Sequence, residues 1–325
     1  MLVILLLDAV AIGEILIDFI PTEIGDYTRV NMFVKNFGGA PFNYAIALSR
    51  LDHSVGAVCS VGNDQFGKFL IETLSKEKVD TSHVKIKNSR TTLAFVVRLE
   101  GGQRKFFFYR KPWVETADTL LSPEDIDEEY ISRAKILHVS GVALSHNPCR
   151  DAIFKALRIA KENNVLISFD PNVRLDIWEN YEEMLSMYDK VFKISDIILL
   201  SSDETRLLFN TIDPFKVSKK VYEKYNPQYL VVKLGPKGAY VKTSNGDEIL
   251  KEPFPVKVVD TTGAGDAWAA GFEAMLLEGK DIEHAVIIAN AVASLKVTRI
   301  GAITALPTRE ELMSFLSRYN FRINR

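Results

Sequence analysis

Short apolar runs rich in valine, isoleucine and leucine alternate along the chain with segments whose apolar residues recur at helical spacing. DAVAIGEILID from Asp8, SVGAVCSVG from Ser54, AKILHVSG from Ala134, VLISFD from Val165, SDIILLS from Ser195 and YLVVKLG from Tyr229 are of the first kind; PCRDAIFKALRIAKENN from Pro148 is of the second. Strands that are apolar throughout, separated by amphipathic helices, predict an α/β fold: a mostly parallel central sheet covered on both faces, hence three layers. Two segments break the rhythm. Residues 27–37, YTRVNMFVKNF, and 91–110, TTLAFVVRLEGGQRKFFFYR with Gly101-Gly102 at its centre, are not followed at once by a crossover helix. They predict a small antiparallel β-sheet lid inserted into a single domain spanning 1–325. The apolar start MLVILLLDAVAIGEILIDF lacks a basic leader and is interrupted by Asp8, Glu14 and Asp18, so it reads as a buried first strand rather than a signal peptide or membrane span.

At 325 residues, 47% hydrophobic and 25% charged, the chain can bury a full core. Forty basic against forty-two acidic side chains leave a net charge of −2, so no global field favours nucleic acid or an anionic membrane surface, and any anionic ligand must be held locally. Cys59 and Cys149 form no CxxC pair and are too few for a disulfide framework, which suits a reducing cytoplasm and two small buried hydrophobes. The histidines, His53, His83, His138, His146 and His284, make no HExxH motif or Cys/His cluster, which sets zinc chemistry aside.

Candidate chemistry concentrates in VVDTTGAGDAWAAGF, Val258 to Phe272. Gly263 and Gly265 admit positive φ and lack the Cβ atoms that keep a ligand from the backbone. Their N–H groups, with that of Ala264, can converge on an anion at the positive end of a helix carrying Trp268, Phe272, Met275 and Leu276 on its core stripe and stopped by Gly279. Asp266 stands beside that anion site. It reads either as a helix N-cap, worth about 1 kcal/mol, or as a base that takes the proton of a hydroxyl attacking a phosphate held by the amides. Other glycine motifs fit less well. No GxxxxGK[ST] loop exists, and a dinucleotide GxGxxG starting at Gly263 meets Trp268 where the third glycine belongs, although Asp281 and Glu283 lie near the place of a ribose-binding acid.

These residues resemble the ribokinase or PfkB-type carbohydrate kinases. DTTGAGDAWAAGF matches the C-terminal signature of that family, and NFGGAPFN, Asn36 to Asn43, its N-terminal Gly-Gly signature; similarity runs from GEILIDF through DPNVR and KLGPKGAYV to ANAVASLKVTRIGA. The resemblance implies a ribokinase-like fold and transfer of the ATP γ-phosphate to a sugar hydroxyl. It implies Asp266 as catalytic base with Gly263, Ala264 and Gly265 as anion hole, and a sugar site of Asp18, Gly38, Gly39, Asn43, Arg110 and Arg174. For the nucleotide it implies the turn of Lys233, Gly235 and Gly238, with Asn290 on the floor of the adenine pocket. Mg²⁺ with ATP is implied, with Glu204 in its outer shell; the family's NxxE reads SSDE here, with Ser201 in the asparagine's place, which leaves the ligand set open. A monovalent cation such as K⁺ at Asp260 and the backbone near Thr262 is implied as in some relatives, as is a homodimer paired through the lid. GGAPFN with GEILIDF looks most like fructokinases, so fructose phosphorylated to fructose 6-phosphate is the favoured reaction; 2-keto-3-deoxygluconate kinase and ribokinase are the alternatives. An NAD-dependent dehydrogenase and a non-catalytic sugar-binding regulator are the readings from other classes, the latter disfavoured by a carboxylate beside the anion site.

Overall fold

The computed structural model describes residues 6–98 and 104–321. The chain opens with β1 (Leu7–Ile12), β2 (Leu16–Pro21), β3 (Phe33–Gly38), α1 (Ala40–Arg50), β4 (Val55–Gly62), α2 (Gln65–Lys76), β5 (Asp80–Lys87), β6 (Thr92–Arg98) and β7 (Arg104–Tyr109). It continues through α3 (Glu128–Ser132), β8 (Ala134–Ser140), α4 (Cys149–Glu162), β9 (Leu166–Asp170), α5 (Tyr181–Phe192), β10 (Ile197–Ser201), α6 (Ser202–Phe209), α7 (Pro214–Lys224) and β11 (Tyr229–Lys233). The antiparallel pair β12 (Ala239–Thr243) and β13 (Glu248–Lys251) leads into α8 (Ala264–Leu277), α9 (Ile282–Lys296) and α10 (Arg309–Ser317).

Nine strands form the central sheet in the order β13-β12-β11-β10-β9-β8-β1-β4-β5. From β11 to β5 every pairing is parallel; β12 and β13 add an antiparallel edge. Successive side chains of a strand point to opposite faces, and here both faces are covered. In β1, Ala9 and Ala11 join a core with Phe42 and Ile46 of α1, Phe272 of α8 and Ala289 of α9, whereas Val10 and Ile12 join one with Ile153 of α4, Tyr188 of α5 and Val221 of α7. This double burial is why the strands are continuous apolar runs. Polar residues set the helix starts: Asp64 accepts from the N–H of Phe66 and Gly67, Asn180 from Glu182 and Glu183, and Asp281 from His284.

A second, four-stranded sheet has the order β3-β2-β6-β7, with β2–β3 and β6–β7 antiparallel and β2–β6 parallel. The expected single first strand is in fact two. Gly13, at φ 153°, and buried Glu14 end β1, and the chain re-enters as β2 in the small sheet, taking Asp18 with it. A buried Glu14 needs its carboxyl answered, and at this break it takes the Ala40 N–H and the Ser140 hydroxyl. Of residues 27–37, only Phe33 onward is strand. The Gly101-Gly102 turn and the first five residues of the apolar start lie outside the described residues.

Candidate active site

A cleft of about 490 Å³ lies between the small sheet and the carboxyl ends of the central strands, the place where ligands of parallel sheets collect. It is lined by Leu16, Asp18, Phe106 and Phe108 from the small sheet, by Asp170, Ser201 and Lys233 at strand ends, and by Asn43 and residues 261–266 at the starts of α1 and α8.

Asp266 is the third residue of α8, whose N-cap is Gly263 in the left-handed conformation, φ 73°, with no side-chain capping bond. The N-cap reading of Asp266 therefore fails: its carboxylate is aimed into the cleft, where the Asn43 amide donates to it at 2.8 Å. Burial pushes the Asp266 carboxyl above the usual aspartate range, the Asn43 bond opposes that, and the Asp170 carboxylate adds to it. Asn43 keeps its own amide oxygen buried with no hydrogen-bond partner among the described residues.

Of the three expected hole donors, the N–H of Ala264 is turned back on the Thr261 carbonyl at 3.1 Å. That leaves Gly263 and Gly265, backed by the start of α8, to face an anion. A Cβ on Gly265 would stand 3.3 Å from the Lys233 ammonium, which puts that cation against the same turn. Lys233 is salt-bridged to Asp170 at 2.5 Å, both nearly removed from water at 13% and 8% exposure. Despite desolvation, Asp170 and Glu204 hold the Lys233 ammonium above its ordinary range, so it stays charged.

Asp18 lines the cleft from β2. A Cβ on Gly38 would fall 2.6 Å from its carboxylate, so the glycine clears space for Asp18. Gly39, at φ 111°, presses on the Glu14 carbonyl, which a Cβ would meet at 2.5 Å. Arg174 lines the cleft and lies over the Phe106 ring at 5.3 Å. Arg110 does not reach the cleft. Its guanidinium, 1% exposed, is bound to Asp118 at 2.9 Å, to the Ser145 hydroxyl at 2.9 Å and to the Val142 carbonyl at 3.3 Å. Asp118 also accepts from Thr92, so both the entry of β6 and the exit of β7 are tied to one buried carboxylate.

On the nucleotide side, Gly235 lines the cleft, whereas Gly238 is held by the β11–β12 hairpin, where a Cβ would strike the Lys251 carbonyl. Asn290 is also placed elsewhere: its amide accepts from the Trp268 indole at 2.8 Å and donates to the Lys251 and Glu252 carbonyls, fastening α9 to α8 and to the end of β13. Glu204 closes a capping box with Ser201 and takes the Val173 N–H at 3.0 Å, so it ties the DPNVR turn to α6. Asp260 is answered by the N–H groups of Thr262 and Gly301, with the Lys296 ammonium 3.9 Å away.

Glu14 and Asp170 were not singled out from sequence. Glu14 takes the Ala40 N–H and the Ser140 hydroxyl on one oxygen, its other oxygen has no partner among the described residues, and burial pushes its carboxyl up to about 7. A carboxyl at a strand-end glycine, and the first residue of DPNVR at the end of a strand, were the signals available.

Among the described residues no three histidine, cysteine, aspartate or glutamate side chains are grouped as a metal-binding set. Magnesium nonetheless fits the oxygen donors of Asp170, Asp203 and Glu204 if phosphate oxygens and waters complete its shell, since it dehydrates reluctantly. With three hydrogen bonds already on Glu204, an outer-shell contact suits it better than a direct one. Asp260, turned to backbone N–H groups and Lys296, does not fit as a magnesium ligand.

A buried carboxylate poised for a proton, beside a glycine turn that can hold an anion and a fixed cation, defines an enzyme of group transfer to an alcohol. The model of the pfkB family of carbohydrate kinases matches residues 7–309, and the chain belongs to that family. It is 38% identical over 320 residues to a protein named probable fructokinase-2 of Arabidopsis thaliana, covering 94% of this chain and 95% of the relative. It is 34% identical over 317 residues to a 5-dehydro-2-deoxygluconokinase of Clostridium perfringens, covering 96% and 93%. Among solved structures, the fructokinase of Vibrio cholerae O395 in its fructose-, ADP- and calcium-bound form superposes with a TM-score of 0.85 at 34% identity, covering 96% of this chain and 99% of that one.

Proposed function

We propose that the protein transfers the γ-phosphate of ATP to the 6-hydroxyl of fructose, giving fructose 6-phosphate and ADP. The observation that carries this reading is the Asn43–Asp266 pair beside the Gly263–Gly265 turn. Asp266 takes the proton of the attacking hydroxyl as its oxygen bonds to phosphorus, and the bond from that phosphorus to the ADP oxygen breaks. The transferring group spreads its charge over its oxygens, so positioning and electrostatics do most of the work. Gly263, Gly265 and Lys233 are placed to receive that charge. Asp170, Asp203 and Glu204 are the carboxylates that would face a magnesium ion bound with the nucleotide, which would supply further neutralisation of the phosphate charge.

Charge favours a neutral sugar over a sugar acid. Asp18, Asp170, Asp203, Glu204 and Asp266 line the cleft against Arg174 and Lys233, and Lys233 is already paired. A substrate carboxylate would enter an acidic cavity, whereas a polyol brings the O–H donors that the partnerless Asn43 oxygen requires. A coupled ADP-release assay with magnesium ATP across fructose, 2-keto-3-deoxygluconate, 5-dehydro-2-deoxygluconate and ribose tests this. Fructose is expected to give the highest kcat/KM; a sugar acid turned over faster would displace it.

The small sheet is read as a lid on a single domain, keeping water from the phosphoryl group. Its Val34, Phe107 and Tyr109 are exposed, which supports pairing of two copies through this sheet, a point sedimentation velocity can check. No helix among the described residues is long and apolar enough to cross a membrane, and a cytoplasmic location is proposed from the free cysteines. For the monovalent cation, Lys296 offers an internal substitute: fully buried, it donates to the Asp260 carbonyl at 2.8 Å. Turnover is accordingly expected to be unchanged when potassium is exchanged for tetramethylammonium at constant ionic strength. A marked loss would show that the loop takes an external ion as well.

A further inference from the structure

Beneath the cleft lies a second layer of polar side chains that the proposed chemistry does not touch. Glu273, on α8 two turns beyond Asp266, is 0% exposed and, among the described residues, has no lysine or arginine in hydrogen-bonding contact. Its carboxylate takes the Tyr44 hydroxyl at 2.6 Å and the Ser168 hydroxyl at 2.6 Å. His138 Nδ1 is 3.2 Å from the Ser168 oxygen and 3.5 Å from Glu273, and its ring stacks on Tyr44 at 3.8 Å. Ser168 has a single hydrogen and gives it to Glu273, so His138 Nδ1 carries the proton and donates to the serine oxygen. Burial, followed by the Glu273 charge, holds the Tyr44 phenol well above its ordinary range, so it remains a donor.

The elements supplying this layer are those that supply the cleft above it. Tyr44 follows Asn43 on α1. Ser168 and His138 stand two residues before Asp170 on β9 and Ser140 on β8, on the same faces of their strands. Glu273 shares the α8 face with Asp266. Every group in the layer is 3% exposed or less. Stability alone does not account for such an arrangement, because well-packed apolar side chains of similar size serve a core as well as or better than a buried carboxylate. A hydrogen-bonded layer does something an apolar one cannot: it admits only one rotation and one height of α8 against α1 and the sheet.

We propose that Tyr44, Ser168, His138 and Glu273 form a positioning layer that fixes α8 relative to α1, and thereby holds Asp266 at hydrogen-bonding distance from Asn43 and on the line of the attacking hydroxyl. The inference rests on Asp266 being the base. It assigns these four residues no contact with substrate; they act through the Asn43–Asp266 pair.

The test is Tyr44→Phe, which removes one hydroxyl and keeps the ring stacked on His138. It is expected to lower kcat about tenfold, the scale of one hydrogen bond to a charged acceptor, with KM for sugar and for ATP unchanged. In an Asn43→Ala background the same change is expected to cost little further, because the contact through which the layer acts is already gone. Ser168→Ala provides a second, smaller lesion should Tyr44→Phe fold poorly, with the same split between kcat and KM. A fall in melting temperature with full kcat in the folded variant, or full additivity with Asn43→Ala, would overturn the proposal. The base assignment is separable: an active Asp266→Asn enzyme removes the foundation, whereas an inactive one beside a fully active Tyr44→Phe enzyme removes only the layer's role.

Discussion

Asp266→Asn is expected to cut turnover by about 10²- to 10⁴-fold, the usual contribution of a positioned general base, while ATP affinity measured by calorimetry stays unchanged. Asparagine has nearly the shape of aspartate, and its amide oxygen can still accept the Asn43 donor that now lies 2.8 Å from the carboxylate. What it cannot do is take a proton. The same logic gives a pH dependence. Burial raises the Asp266 carboxyl, and only its ionised form is a base, so kcat/KM falls as the pH drops through a value above the ordinary aspartate range. Asn43 donates to the ionised form and works against the shift. Asn43→Ala should therefore move this acid limb to higher pH, opposite to the direction expected if Asn43 only packed against the helix. Retained turnover in Asp266→Asn, measured by ADP release with fructose, would remove Asp266 from the chemistry.

The part of the site that sequence displayed was the part built from neighbours in the chain. Gly263, Gly265 and Asp266 lie within four residues where an irregular segment turns into α8, so turn, dipole and carboxylate could be placed before any tertiary contact was known. The continuous apolar strands likewise announced a sheet buried on both faces. What failed was long-range. Arg110 looked like a cleft residue because it ends a strand of the small sheet, but its guanidinium is claimed by Asp118 and Ser145, contacts that only the folded chain creates. Asn290 stands on a small-residue helical face, and its bonds to the Trp268 indole and two carbonyls are likewise contacts that only the folded chain creates. Asp18 was seen, but on the wrong sheet, since the break at Gly13 and Glu14 is visible only once Glu14 is known to need the Ala40 N–H and the Ser140 hydroxyl. Glu273 and Lys296 passed as helix residues because a charge at 0% exposure cannot be told from a solvated one without its surroundings.

Lys233 separates what a cation does for the fold from what it does for the reaction. In Lys233→Met the Asp170 carboxylate, 8% exposed, loses its partner. Stranding one half of a buried ion pair costs about 3–5 kcal/mol, so urea unfolding should report a loss of that order. Turnover of the folded fraction should fall on the order of 10²- to 10³-fold, as for removal of one preorganised group that receives transition-state charge. Two causes are mixed in that fall, because an unpaired Asp170 also raises the charge around Asp266. The double variant Lys233→Met/Asp170→Asn parts them. With the stranded carboxylate neutralised, stability should return most of the way. Turnover should not, since the ammonium that lies against the Gly265 turn is still missing. Recovery of both would mean that Lys233 serves only to neutralise Asp170 and that the phosphoryl charge is met by the backbone and the metal alone.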